Sequence, residues 1–378
     1  MIYLDNAATS FPKPKSVVSA VSRAVGGALG NPGRSGHRLS RNSAEIVFSA
    51  REEIARLVGL EKSENVVFTG GATAALNTAI YGCVSALRKN GAVPKVVTSV
   101  FEHNSVLRPL FLLEKKGLIR LSVLSPESGG ELPLADLLSP APQLAVLTLR
   151  SNVTGHSFDI KRLSRLLAPY GTVMIADAAQ ALGSGVCTFD SSGAHIICAP
   201  GHKGLLGIMG GGFLALSDHC PILPDAVFRG GGGGSPFQKE SAGLLPERLE
   251  AGTLPVPAII SMYEGALYLQ KRGLESIADH ERALKARLYR GVSSMRRYTV
   301  YEPQYADGPL LIKHQAIPSE EAAHRLAEKG LFLRGGFHCA PLAHRFLGTA
   351  EQGALRLSVG PFNTPQQIDR ALNILESI

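Results

Sequence analysis

From about residue 64 onward the chain alternates short, apolar, β-branched runs with segments that are apolar on one helical face. Strands buried on both faces read as continuous apolar runs, and covering helices read as amphipathic stretches, so the alternation points to an α/β sheet clad in helices. Strands are predicted over Val66–Thr69, Lys95–Ser99, Arg120–Leu124, Leu144–Leu149, Val173–Ala176, His195–Cys198 and Gly212–Leu216. Helices are predicted over Ala72–Arg88, Ser105–Lys116 and Lys161–Tyr170. Seven strands within about 150 residues imply one large sheet. After the glycine run Gly230–Gly234 the texture changes. Pro255 and Pro257 precede a helical stretch, Ala258–Lys271, and then Leu274–Ser294, whose charges alternate along a solvated face. The tail (Leu310–Lys313, Ser319–Lys329, Leu331–Arg334, Ala354–Val359, Pro365–Ile378) reads βαββα and suggests a second, smaller domain.

Composition narrows this picture. A chain of 378 residues makes one large or two ordinary domains. With 45% hydrophobic and 19% charged residues it is neither disordered nor fibrous. Trp is absent and aromatics are 6%, so the core must be aliphatic and alanine-built. The net charge of +8 suits an anionic ligand, a nucleic acid or an acidic partner without choosing among them. No Lys/Arg block with interleaved aromatics occurs, which argues against nucleic acid. Five cysteines at 83, 187, 198, 220 and 339, with no CxxC pair, argue against a disulfide framework and for a reducing compartment. Cys339 with His344 is the nearest approach to a metal-ligand pair and lacks the second pair of a structural zinc site, so no metal is expected. The start, MIYLDNAATS, has neither the basic nor the apolar part of a secretion signal. The longest uncharged stretch, Val66–Leu87, carries Thr69, Thr73, Asn77 and Thr78 and reads as strand, turn and helix rather than a membrane span. A soluble, cytoplasmic protein is expected.

Four places could carry chemistry. Thr69-Gly-Gly-Ala-Thr73 follows a strand and opens a helix, where free N–H groups favour an anion such as phosphate; a plain tight turn is the alternative. It matches neither GxxxxGK[ST] nor GxGxxG. Asp177, just past an apolar strand, sits at the carboxyl edge where open α/β folds bind ligands, or else caps a helix. Lys203, between glycines after a buried strand, would have its pKa lowered by desolvation and become an amine nucleophile, unless it snorkels from a loop. Glycines before His338-Cys339 describe a loop presenting a thiol, although cysteines are commonly plain buried hydrophobes. Arg356, inside a strand, is costly unless it faces an anion such as a carboxylate. Phosphate cradle, acid, amine lysine and carboxylate-binding arginine are together what a pyridoxal phosphate enzyme requires.

Ordered motifs make the reading specific. Tyr3-Leu-Asp-Asn-Ala-Ala-Thr9, Asn31-Pro-Gly-Arg-Ser-Gly-His37, Val66–Thr73, Glu102-His103-Asn104, Ser151-Asn152-Val153-Thr-Gly155, Asp177-Ala-Ala-Gln180, Gly201-His202-Lys203 and Glu250-Ala-Gly-Thr253 resemble the class V aminotransferase family of pyridoxal phosphate enzymes. Arg334…His338-Cys339-Ala340 with Arg356 resembles its cysteine desulfurase and selenocysteine lyase branch. The resemblance implies fold type I: a large domain (13–257) with a seven-stranded, mainly parallel sheet, and a smaller α+β domain (1–12 and 258–378) carrying the thiol loop and the carboxylate-binding arginine. It implies that Lys203 bonds pyridoxal 5'-phosphate and then shuttles a proton. His103 would stack on the ring and help with proton transfer, Asp177 pair with its nitrogen and Gln180 bond its phenolic oxygen. Ala72, Thr73 and His202 would hold the phosphate, and Thr253 would reach the cofactor of a neighbouring subunit, making a homodimer part of the site. Asn152 and Arg356 would bind the substrate carboxylate, while Asn6, Ala7 and His37 line the entrance. Cys339 would attack the sulfur of L-cysteine (or the selenium of L-selenocysteine), leaving alanine and a persulfide for a protein acceptor.

Two departures stand out: Ala74 replaces a frequent Glu, and Pro200 replaces a frequent phosphate-binding Ser. Losing one hydroxyl costs the phosphate grip about 1 kcal/mol. Alternatives are a selenocysteine or cystine lyase, a class V aminotransferase that does not need the thiol, and a non-catalytic sulfur-transfer scaffold. The last predicts damage at Lys203, Asp177 or His103, and all three are intact.

Overall fold

The computed structural model describes residues 1–27, 29–33, 35–89, 91–127, 130–232, 243–301 and 305–378. The chain opens with a short strand, β1 (Ile2–Tyr3), and two helices, α1 (Lys15–Gly26) and α2 (Arg38–Val58). Next come β2 (Val66–Thr69), α3 (Ala72–Leu87), β3 (Lys95–Ser99), α4 (Asn104–Lys115), β4 (Arg120–Leu124), α5 (Leu134–Leu138), β5 (Leu144–Thr148) and α6 (Ile160–Leu167). They are followed by β6 (Val173–Asp177), α7 (Phe189–Ser192), β7 (Ile196–Pro200) and β8 (Gly212–Leu216). These strands form a seven-stranded sheet in the order β2-β8-β7-β6-β5-β3-β4. β8 runs antiparallel to both its neighbours and the other pairs are parallel. The expected large, mainly parallel sheet is therefore present. Every residue of β3, β5, β6, β7 and β8 is buried, so their apolar runs are continuous because both faces are covered.

Two long helices, α8 (Val256–Arg272) and α9 (Leu274–Ser293), lead to β9 (Tyr298–Tyr301), β10 (Leu310–His314), α10 (Ser319–Glu328), β11 (Leu331–Phe332), α11 (Pro341–Phe346), β12 (Leu355–Leu357) and α12 (Pro365–Glu376). The tail is not the simple βαββα of the pattern. β9, β10 and β12 make an antiparallel sheet, whereas β11 leaves it to pair with β1. The sequence boundary at 258 falls inside α8, yet Ile259, Met262, Ala266 and Leu269 of that helix share a core with α1, α2 and the large sheet. A separate core joins α9, α10 and α12 to the small sheet and to Ile2 and Leu4. Of the glycine run, Gly233 and Gly234 lie outside the described residues, as does Arg34 of the Asn31–His37 motif. Among the described residues no helix is long and apolar enough to cross a membrane.

Candidate active site

Parallel strands align their carboxyl ends, and that edge is where this chain spends its polar residues. β2 ends in Thr69 and enters α3 through Gly70-Gly71; β5 leads to Arg150 and Asn152; β6 ends on Asp177; β7 leads into His202-Lys203. Because β8 is antiparallel, its start, Gly212, lies at the same edge, in register with Thr69 and Pro200. A cavity of about 400 Å³ opens there, lined among others by Thr73, His103, Asp177, Lys203, Arg334 and Arg356. Bridges Asp5↔Ser358 and Arg334↔Arg356 bring the amino-terminal strand and the tail over it.

The sequence-predicted residues divide as follows. Ala7, Ala72, Thr73, His103, Asn152, Asp177, Gln180, His202, Lys203 and Arg356 all line the cavity, and so do Ala74 and Pro200. Asn6 lines an adjoining pocket that shares Ala7, Gln180 and Lys203 with it. Cys339 sits beside the cavity, its Sγ 3.6 Å from Arg334 Nη2. His37 and Thr253 are exposed and outside the cavity of this chain. His37 instead caps α2, its Nδ1 accepting from the Ser40 N–H at 3.2 Å.

Burial sets the electrostatics. Lys203 is pushed down to about 8, first by desolvation and then by Arg356 and Arg334, against the pull of Asp177. Asp177 is raised by burial, opposed by the Ala179 N–H that its Oδ1 accepts at 2.9 Å and by Lys203. His103 is pushed down to about 4 by desolvation and by the cations Lys203, Arg334, Arg356 and Arg108. Its Nδ1 accepts from the Ser105 N–H at 3.0 Å, so the ring is held neutral at the start of α4. Arg356, 1% exposed, donates to Asp5 Oδ1 at 2.8 Å and to Asn152 O at 3.1 Å.

Three residues at this edge carry roles the sequence reading did not assign. Arg150 lines the cavity and donates to Gln180 O at 3.1 Å and Ser184 Oγ at 2.6 Å, bracing the turn after Asp177. Its signal was position, as the first charge after an apolar strand. Glu102, 0% exposed, accepts from Ser99 Oγ at 2.6 Å and Thr148 N at 3.0 Å, tying β3 to β5. Desolvation pushes it up to about 8, opposed by the Ser99 and Thr148 hydrogen bonds. Arg334 enters the sequence reading only as part of a motif, yet its Nη2 lies 3.6 Å from the Cys339 Sγ.

The donor set fits a phosphorylated pyridine aldehyde. Gly71, φ +139°, precedes α3 and gives it no side-chain cap, so its first N–H groups are open to an anion. His202 Nδ1 and Arg356 Nε are buried without a partner, and Asp177 offers an acid to a ring nitrogen.

This arrangement is that of a fold type I enzyme, in which a lysine and an acid face each other at the edge of a seven-stranded sheet. The chain belongs to the aminotransferase class-V family, whose model matches residues 2–371. It is 29% identical over 385 residues to a probable cysteine desulfurase of Methanothermobacter thermautotrophicus, covering 100% of this chain and 94% of that one. It superposes on the apo structure of a cysteine desulfurase from Thermococcus onnurineus with TM-score 0.90 at 26% identity, covering 100% of this chain and 94% of the other. The Escherichia coli cysteine desulfurase CsdA gives TM-score 0.87 at 25% identity, covering 99% and 94%.

Proposed function

We propose that the chain is a pyridoxal 5'-phosphate-dependent cysteine desulfurase. The observation that carries this reading is one cavity holding Lys203, Asp177, His103 and Arg356, with Cys339 on a loop beside it. Ala72 and Thr73 at the α3 start, with His202, would hold the phosphate; Asp177 would hold the ring nitrogen and Gln180 the phenolic oxygen. The bound group supplies the electron sink for the substrate's Cα. Gln180 is braced for this by its Nε2, which donates to Ala7 O at 2.9 Å. Lys203 would bond the cofactor and carry the proton at Cα, a task suited to an amine lowered to about 8. His103, held neutral, lines the cavity without adding a charge, as a residue that stacks on the ring and helps proton transfer would. Arg356, aided by Asn152, orients the substrate carboxylate, with Asn6 and Ala7 toward the entrance. Cys339 then attacks the substrate sulfur: an S–S bond forms as the Cβ–S bond breaks, leaving alanine and a persulfide for an acceptor. Thr253, exposed on this chain, would complete a second copy's site in a homodimer.

The test is alanine release from L-cysteine by purified protein given pyridoxal phosphate, run beside L-selenocysteine. Alanine from neither substrate would refute the reading. Arg356→Lys is expected to raise KM for cysteine about 10- to 100-fold with a smaller change in kcat. An ammonium cannot reproduce a bidentate grip, and a charge-assisted bond contributes about 1.5–3 kcal/mol. Steady-state kinetics checks this; an unchanged KM would remove Arg356 from the substrate site.

A further inference from the structure

The loop that carries Cys339 is held by a chain of hydrogen bonds for which the proposed reaction gives no account. His338 and Cys339 both have positive φ, 50° and 57°. Non-glycine residues keep that conformation only where surrounding contacts over-determine it. Here the Asn152 Nδ2 donates to His338 O, and the Asn104 N–H to Cys339 O, each at 2.8 Å. From the His338 ring a second set runs inward. His338 Nε2 lies 3.1 Å from Arg334 O, and its Nδ1 lies 3.0 Å from His344 Nε2. His344 Nδ1 in turn lies 2.7 Å from Thr349 Oγ1. All three side chains are buried, at 1%, 0% and 1% exposure.

The direction of these bonds follows from their ends. A carbonyl oxygen only accepts, so His338 carries its proton on Nε2. In a neutral ring Nδ1 then accepts, and its donor must be His344 Nε2–H. His344 Nδ1 is left as acceptor for the Thr349 hydroxyl. The hydroxyl's other neighbour, His344 O at 3.3 Å, already receives the Thr349 N–H at 2.8 Å, so the ring nitrogen is the better acceptor. Every donor meets an acceptor with both rings neutral. The reverse direction would require two protons on His338, whose charged neighbours are Arg356 and Arg334. Burial holds His338 well below its usual value and pushes His344 down to about 4, in keeping with the neutral chain.

We infer that Thr349, His344 and His338 form a one-way relay of neutral side chains that positions Cys339. Thr349 orients His344, His344 orients His338, and His338 anchors the Arg334 carbonyl, which keeps the Arg334 guanidinium and the Cys339 sulfur 3.6 Å apart. Thr349 and His344 lie outside the cavity wall, so they are positioning residues. The activity readout rests on the proposed function; the tautomer readout does not.

Two measurements on the holoenzyme test this. Histidine-selective ¹⁵N NMR at pH 7.5, assigned through His344→Gln and His338→Gln, should show both rings as Nε2–H tautomers. A His344 protonated on Nδ1, or an imidazolium at either position, overturns the relay. Thr349→Val removes the hydroxyl at constant shape and should lower kcat for alanine release about tenfold or more, with KM within about twofold and the cofactor band unchanged. It should also change the iodoacetamide alkylation rate of Cys339, and Thr349→Ser should restore both. Wild-type kcat and alkylation in Thr349→Val overturn the inference. Should the wild type release no alanine, the proposed function fails, and the tautomers and alkylation rates still decide the relay.

Discussion

Lys203→Ala is expected to abolish alanine release, with a loss of more than about 10³-fold, and to abolish the covalent capture of pyridoxal phosphate. Acid–base catalysis alone contributes about 10²- to 10⁴-fold, and here one amine both bonds the cofactor and carries the proton. Its placement depends on backbone contact: a Cβ on Gly204 would meet Leu182 O at 1.9 Å, and one on Gly183 would meet Gly204 O at 2.1 Å. The lysine loop is thereby pressed against the turn that follows Asp177. The readout is a visible absorbance band, removed by borohydride, that the wild type gains with pyridoxal phosphate and Lys203→Ala does not. Only the neutral amine attacks, and the Lys203 amine is held near 8. Band formation in the apo-protein should therefore quicken about tenfold per pH unit below 8 and level off above it. Lys13 is the control. It too is pushed down to about 8 by burial, but its Nζ donates to Ser10 Oγ at 2.7 Å and to His202 O at 2.9 Å. Lys13→Gln should keep the borohydride-sensitive band; a band that survives in Lys203→Ala would refute the assignment of Lys203.

The large sheet was legible because its strands are buried on both faces, which turns each into an unbroken apolar run such as Val173–Asp177. The site was legible for a related reason: Asp177 and Lys203 follow such runs directly, where a charge has no packing purpose. α2 was not foreseen, and its composition explains why. Its buried set includes Ser40, Ser43, Arg51 and Glu53, and Arg51 is neutralised by Glu250, 2.7 Å away and 199 residues on. These buried polar residues interrupt the apolar stripe of Val47, Ala50, Ile54, Leu57 and Val58 and blur its reading. β9, exposed or half-buried over three of its four residues, was hidden likewise, and β11 was legible as a strand while its pairing with β1 from the far end of the chain was not. His344 was weighed only as a metal ligand beside Cys339. Its partners, His338 and Thr349, come together through the turn of α11, and a helix of six residues has too short a pattern to announce itself.

Cys339→Ala is expected to lower sulfur release from cysteine more than about 10²-fold while the cofactor band stays in place, because the thiol takes no part in holding the cofactor. The change separates the readings. A class V aminotransferase that does not need the thiol would turn over undisturbed, whereas a desulfurase would keep its colour and lose its product. The other cysteines offer no substitute nucleophile. Cys83 and Cys198 are buried and held well above the usual thiol value by desolvation; Cys187 is pushed up to about 12 and Cys220 to about 11 by the same cause. Their thiolates are scarce at neutral pH, and attack requires the thiolate. Cys339 differs in place, on a loop that meets the Arg334 guanidinium beside the cavity. Brief iodoacetamide treatment of the wild type should therefore label Cys339 first and stop sulfur release in step with that label. Cys339→Ala that still forms persulfide or sulfide from cysteine at the wild-type rate would rule out the thiol as the sulfur carrier, even with Lys203 and Arg356 confirmed in their roles.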